Sequence, residues 1–287
     1  MIYANICVFL SFIKIKNVFL HKKEMRKLFV IVFVVLLAMV LFVLYCYNRW
    51  ESLWSLEKPK SIYSVTYHQD DTIRIIMIGD SWAVMRTDLL NIMFQERLSR
   101  IIERPVSLKT KGKGGEKSRG IYQLMFENGG FGTKQLLSGG ADYCVIFAGI
   151  NDAAANMGKK QYVYHMKLII NFMQLNNIRP VLIEIPNVNY WAVYGDKPLQ
   201  DLIGDYMKSI MAGCGMYHYA EYREALWSML NDSDLIDSVI YVSMKGWNGD
   251  SLEINKKLFF DDQKHLNYQG YVKLDSCIID AICQDLQ

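Results

Sequence analysis

Metal-ligand spacing is missing from this 287-residue chain. Its six cysteines (Cys7, Cys46, Cys144, Cys214, Cys277 and Cys283) form no C-x-x-C pair, and its five histidines form no H-x-x-H pair. That excludes the common zinc motifs, and no metal or other cofactor is expected. Scattered cysteines in a chain this long also exclude a disulfide framework, and Cys144, inside an apolar run, reads as a buried thiol. Internal repeats and low-complexity segments are absent. A basic stripe is lacking too: residues 1–27 hold six Lys/Arg and one acid, and the whole chain is +3, which leaves the remainder at −2. Nucleic acid is therefore not an expected partner.

Charge and proline are also absent from Leu28 to Tyr45, "LFVIVFVVLLAMVLFVLY". At ~1.5 Å per residue this run crosses most of a ~30 Å hydrocarbon core. Lys22, Lys23, Arg26 and Lys27 precede it, so the amino end is expected in the cytoplasm and the rest outside it. A cleaved signal peptide or lipoprotein signal is the competing reading. The run is longer than a signal's apolar region, no small-x-small site follows, and bulky Tyr45 precedes Cys46. The expected organisation is a cytoplasmic segment over 1–27, a membrane anchor over 28–47, a polar and aromatic stalk over 48–70, and a domain over 71–287. Met25, followed by "RKLFVIVF", would make an ordinary short, positive anchor start.

Within the domain, short β-branched runs alternate with amphipathic segments. "TIRIIMI" (72–78), "VSLKT" (106–110), "YCVIFA" (143–148) and "VLIEI" (181–185) predict strands. Residues 83–103, 117–127 and 159–177 predict helices between them. The alternation indicates an α/β fold, three layers with a mostly parallel sheet, in which ligands bind at the carboxyl ends of strands. Regularity fades over 187–255, which reads as a helical and aromatic insertion containing "NYWAVYGD", "SVIYVSM" and "GWNGD". Its Trp and Tyr residues fit either core packing or a sugar-binding wall. A last helix, "NYQGYVKLDSCIIDAICQDL", closes the chain.

Four separated patches stand at the ends of these elements: "GDSW" (79–82), "GKGGEKS" (112–118), "GIND" (149–152) and "DDQKHLNYQGY" (261–271). Each alone is weak. Asp and Ser cap helices, and Asn-Asp makes turns. In this order, over residues 72–285, they resemble the four blocks of the SGNH (GDSL-type) hydrolases, which carry Ser, Gly, Asn and His.

The resemblance implies a flavodoxin-like SGNH hydrolase fold and assigns roles. Ser81 is the nucleophile, His265 its base, and Asp262 the carboxylate that orients the imidazole. Backbone N–H groups of Ser81 and Gly115 and the amide of Asn151 form the oxyanion hole. Block two departs most from the family pattern, so Gly112 and Gly114 compete with Gly115. Trp82 stands where a smaller residue is usual, which points to a role in substrate shape. Asp80 and Asp152 read as structural, as do His21, His68, His165 and His218. The implied function is a membrane-anchored serine esterase acting on a small acyl ester or an acylated, foremost acetylated, envelope or capsular glycan. O-acetyl transfer through the same acyl-enzyme and a non-catalytic glycan-binding protein are the alternatives.

Overall fold

A computed structural model describes the backbone of residues 2–188, 195–247 and 256–287, and the side chains of all of these except 2–21, 23 and 52–54. The chain forms two compact units, Met1–Leu53 and Trp54–Gln287. The first is helical. Neither glycine nor proline occurs before Pro59, so nothing interrupts helix α1, which runs Ile2–Trp54. Within its Glu24–Glu51 portion an 18-residue stretch has a mean hydropathy of 3.3, long and apolar enough to cross a membrane. Every side chain from Leu28 to Tyr45 is exposed, an apolar surface far larger than a soluble helix leaves to water.

The second unit is a five-stranded sheet with helices on both faces. The strands are β1 (Ile73–Gly79), β2 (Val106–Gly112), β3 (Tyr143–Phe147), β4 (Arg179–Ile183) and β5 (Ile240–Val242). All neighbouring pairs are parallel, in the order β2-β1-β3-β4-β5. The central strands read as continuous apolar runs because both faces are covered: Met77, Ile78, Cys144, Val145, Val181 and Leu182 are fully buried. Burial pushes the Cys144 thiol pKa well up, so this cysteine is an inert core residue.

One layer contains α2 (Ser81–Val84), α3 (Asp88–Ile102) and α10 (Tyr268–Asp285), where α10 packs on α3 and β5. The other contains α4 (Ser118–Leu124), α6 (Ile150–Ala154), α7 (Lys159–Leu175) and α9 (Tyr219–Asp232), packed around α7. Two further helices, α5 (Lys134–Ser138) and α8 (Leu199–Ala212), complete the domain.

The strand order fixes where a ligand site belongs. From β1 the chain moves outward to β2, then returns to the other side of β1 as β3. The crevice at this reversal opens between the carboxyl ends of β1 and β3. Gly79 ends β1 there with φ +149°, and a Cβ on it would lie 2.2 Å from the Phe147 carbonyl oxygen. Only glycine lets the two strand ends approach this closely.

Three sequence readings need correction. The segment read as a stalk over 48–70 divides in two. Helix α1 reaches Trp54, and residues after it are strapped to the domain. Glu57 pairs with Arg119 at 2.8 Å, Tyr63 Oη donates to the Met125 carbonyl at 2.7 Å, and Thr66 N–H donates to the Ser138 carbonyl at 2.9 Å. The single helix expected over 83–103 is broken at Met85–Thr87, because Thr87 caps α3 by accepting from Leu90 N–H. The region read as an insertion supplies integral parts of the fold: α9 packs on α7, and "SVIYVSM" contains edge strand β5. Tyr190, Trp191 and Tyr194 of "NYWAVYGD", and Asn248 to Asp250 of "GWNGD", lie outside the described residues.

Candidate active site

The turn after β1 is set by Asp80. Its N–H donates to the Phe147 carbonyl at 3.1 Å, and its Oδ1 accepts from Trp82 N–H at 3.0 Å, capping α2. Ser81 is thereby the first residue of α2, at the mouth of the β1/β3 crevice. Its N–H has no acceptor among the described residues, as expected at a helix start.

His265 arrives from 184 residues away, with Nε2 2.8 Å from Ser81 Oγ. Its Nδ1 lies 2.5 Å from Asp262 Oδ2. Asp262 also accepts the N–H groups of Lys264 and His265 on Oδ1, each at 3.0 Å, so one carboxylate both folds the turn and holds the ring. Burial alone would raise the Asp262 pKa; the hydrogen bonds from His265 and Lys264 outweigh it and hold the carboxyl below its usual value. The group is thus ionised at neutral pH and suited to stabilise an imidazolium.

Trp82 has a different place from the one expected. It is buried rather than facing substrate space, and its Nε1 donates to the Lys264 carbonyl at 2.8 Å. Tyr271 Oη, on α10, donates to the Trp82 carbonyl at 2.9 Å. The indole therefore bolts the Ser81 turn to the His265 turn. Four residues further on, Arg86 forms a buried two-pronged pair with Asp275 of α10, at 2.6 and 3.1 Å. Sequence reasoning missed this pair; a lone arginine in "WAVMR" and a lone aspartate on the apolar face of the last helix were the only signals.

On the other side of the crevice, Asn151 stands at the start of α6. Its Nδ2 donates to Asp80 Oδ2 and to the Glu116 carbonyl, each at 3.0 Å. Both amide hydrogens are thus engaged. Glu116 follows Gly115, which has φ +71°, open space around its Cβ position, and an N–H without an acceptor among the described residues. Gly114 precedes it in the same turn, whereas Gly112 lies inside β2 opposite Gly79. Asp152 is fully buried and accepts from Ser118 N–H at 3.0 Å and from Ser118 Oγ at 2.5 Å, tying α6 to α4. Burial raises both buried carboxyls, Asp80 to about 7 and Asp152 to about 6.

The structure thus brings Ser81, His265 and Asp262 into one hydrogen-bonded line and sets Asn151 against the Gly115–Glu116 turn. The remaining histidines with described side chains sit elsewhere. His165 is buried, with Nε2 accepting from Glu57 N–H at 3.2 Å; His68 contacts the Gly139 carbonyl, and His218 pairs with Glu221. Among the described residues no group of three or more His, Cys, Asp or Glu side chains is arranged to hold a metal ion.

No protein-family model matches the chain, and no curated protein matches it in sequence. Solved structures do match in fold. A lipase/acylhydrolase from Enterococcus faecalis is 15% identical over 73% of this chain and 95% of its own, with a TM-score of 0.54. An acetyl xylan esterase is 18% identical over 73% of this chain and all of its own, with a TM-score of 0.53. A GDSL-like lipase from Parabacteroides merdae is 12% identical over 77% of this chain and 98% of its own, with a TM-score of 0.51. Residues 54–287 have the three-layer α/β fold of the GDSL-type lipases and acylhydrolases.

Proposed function

We propose that this chain is a membrane-anchored serine esterase that removes acyl groups, acetyl foremost, from a cell-envelope or capsular glycan. The observation that carries the chemistry is the line from Ser81 Oγ through His265 to Asp262, with contacts of 2.8 and 2.5 Å. In this reading Ser81 Oγ attacks the ester carbonyl while its proton passes to His265 Nε2, and Asp262 stabilises the imidazolium. The oxyanion takes the free N–H groups of Ser81 and Gly115, and Asn151 exchanges one of its present partners for it. His265 then protonates the departing alcohol, leaving an acyl-Ser81. Water, deprotonated by the same imidazole, releases the acid and restores the hydroxyl.

An acetyl group is supported by the likeness in fold to an acetyl xylan esterase. Anchoring is supported by the exposed apolar span of α1 and the cluster Lys22, Lys23, Arg26 and Lys27 before it, which favours an amino end inside and the domain outside.

Turnover of p-nitrophenyl acetate against p-nitrophenyl butyrate and octanoate tests the chemistry. Acetate should be preferred. Absence of turnover with every chain length would remove the esterase reading. Protease added to intact spheroplasts should digest the domain after residue 54, and full protection would reverse the orientation.

A further inference from the structure

A cavity of about 660 Å³ opens where β4 and β5 end, and the ester chemistry does not use it. Its volume suits a small ligand rather than a solvent crease. It adjoins the site through Ile185, which is part of its wall. A Cβ on Gly149 would lie 2.4 Å from Ile185 Cδ1, and Asn151 follows Gly149 by two residues. Glu184 and Ile185 also line a small crevice walled by Asp80, Trp82, Phe147, Ala148 and Ile150, chain neighbours of Ser81 and Asn151, so the two spaces share a partition.

The lining is mixed in a particular way. Trp227 is 48% exposed, and its ring meets Tyr241 edge to face at 5.2 Å, which holds the indole upright. Arg223 and Glu224, four and three residues earlier on α9, share its helix face. Arg223 Nη1 donates to the Ile185 carbonyl at 3.1 Å, which fixes the fork beside the partition and leaves its other N–H groups for a ligand. Glu184 is already satisfied: Tyr241 Oη, Ser243 Oγ and Met244 N–H donate to it at 3.2, 2.7 and 2.6 Å. It is wall, not ligand. With Glu184, Arg223, Glu224 and Lys245 around it, the space is hostile to an alkyl chain, whose burial would strip these charges of water without return. A pyranose answers both demands. Its apolar C–H face lies on an indole, and its equatorial hydroxyls give and accept hydrogen bonds at the rim.

We propose that this cavity binds the sugar moiety of the ester substrate, with Trp227 as the stacking platform and Arg223 and Glu224 as hydroxyl partners. The proposal rests on the esterase reading of Ser81 and names the alcohol side of its substrate. The test compares kcat/KM of the full-length protein in detergent for p-nitrophenyl acetate and for a panel of acetylated xylo-, manno- and chito-oligosaccharides. At least one glycan ester should be preferred to p-nitrophenyl acetate. Trp227→Ala should lower kcat/KM for that glycan about tenfold, mainly through KM, while p-nitrophenyl acetate changes less than about twofold, and Trp227→Phe should recover most of the loss. Wild-type turnover of p-nitrophenyl acetate with no preferred glycan would overturn the sugar site and leave the esterase standing. An equal effect of Trp227→Ala on both substrates, or no effect on either, would overturn it as well. Inactivity of the wild type on every substrate would sink the esterase reading and the sugar site together.

Discussion

On the Ser81 side of the crevice, hydroxyl, imidazole and carboxylate already stand in hydrogen-bond order, and Trp82 and Tyr271 clamp the two turns that carry them. On the Asn151 side, the amide needed for an oxyanion spends both hydrogens on Asp80 and Glu116. One side is assembled, and the other must exchange a partner before it can act. The difference follows from what each side must avoid. A serine and a histidine tolerate each other without substrate. An oxyanion donor left unpaired in a partly buried crevice would carry a desolvation cost of about 1–3 kcal/mol, so it borrows acceptors until the substrate supplies one.

The assembled side should break hardest. Ser81→Ala or His265→Ala should lower kcat by about 10⁴–10⁶-fold with the circular dichroism spectrum unchanged, since both side chains contribute little core. Asp262→Asn should cost about tenfold less than His265→Ala, because the base survives while its tautomer and orientation are lost. On the exchanging side, Asn151→Ala should lower kcat by about 10²–10³-fold with KM little changed, the signature of an interaction made only in the transition state. An Asn151→Ala protein that melts earlier yet keeps full kcat would reduce this residue to a turn-former.

The smallest effect concerns Asp80, which touches both sides. Its carboxyl pKa is raised by burial to about 7. Between roughly pH 4 and 7 the folded chain therefore holds a proton that the unfolded chain has released. By linkage this contribution is present at the acid end and is lost as pH rises toward 7, by on the order of 2–4 kcal/mol. Urea melts of wild type and Asp80→Asn at pH 5 and 7.5 should show the wild type losing more stability over that interval. Parallel losses in the two proteins would show that Asp80 does not titrate there.

Much of this was readable from the residues. The β-branched runs over 72–78 and 143–148 correspond to β1 and β3, and the Gly-Asp-Ser and Gly-Ile-Asn-Asp turns stand at their carboxyl ends. Asp262 and His265, three apart, share one turn as their spacing allowed. What stayed hidden depends on contacts across the chain. Strand β5 has only three residues at a sheet edge, too few for a period to emerge. The break between α2 and α3 rests on one threonine cap inside a continuous apolar pattern. Trp82 looked like a substrate-facing residue because its partner, the Lys264 carbonyl, is 182 positions away. The commitment of Asn151 to Asp80 and Glu116 has no local signature at all, since backbone carbonyls and buried carboxylates are invisible to spacing.

Activation of the Ser81 hydroxyl by His265 is open to a direct reading. Treating the full-length protein with a serine-directed fluorophosphonate, then mapping tryptic peptides by mass spectrometry, tests it directly. A single adduct on Ser81, absent when His265→Ala is treated in parallel, is the predicted result. A folded protein that carries no adduct on Ser81, or carries one equally without His265, would contradict it.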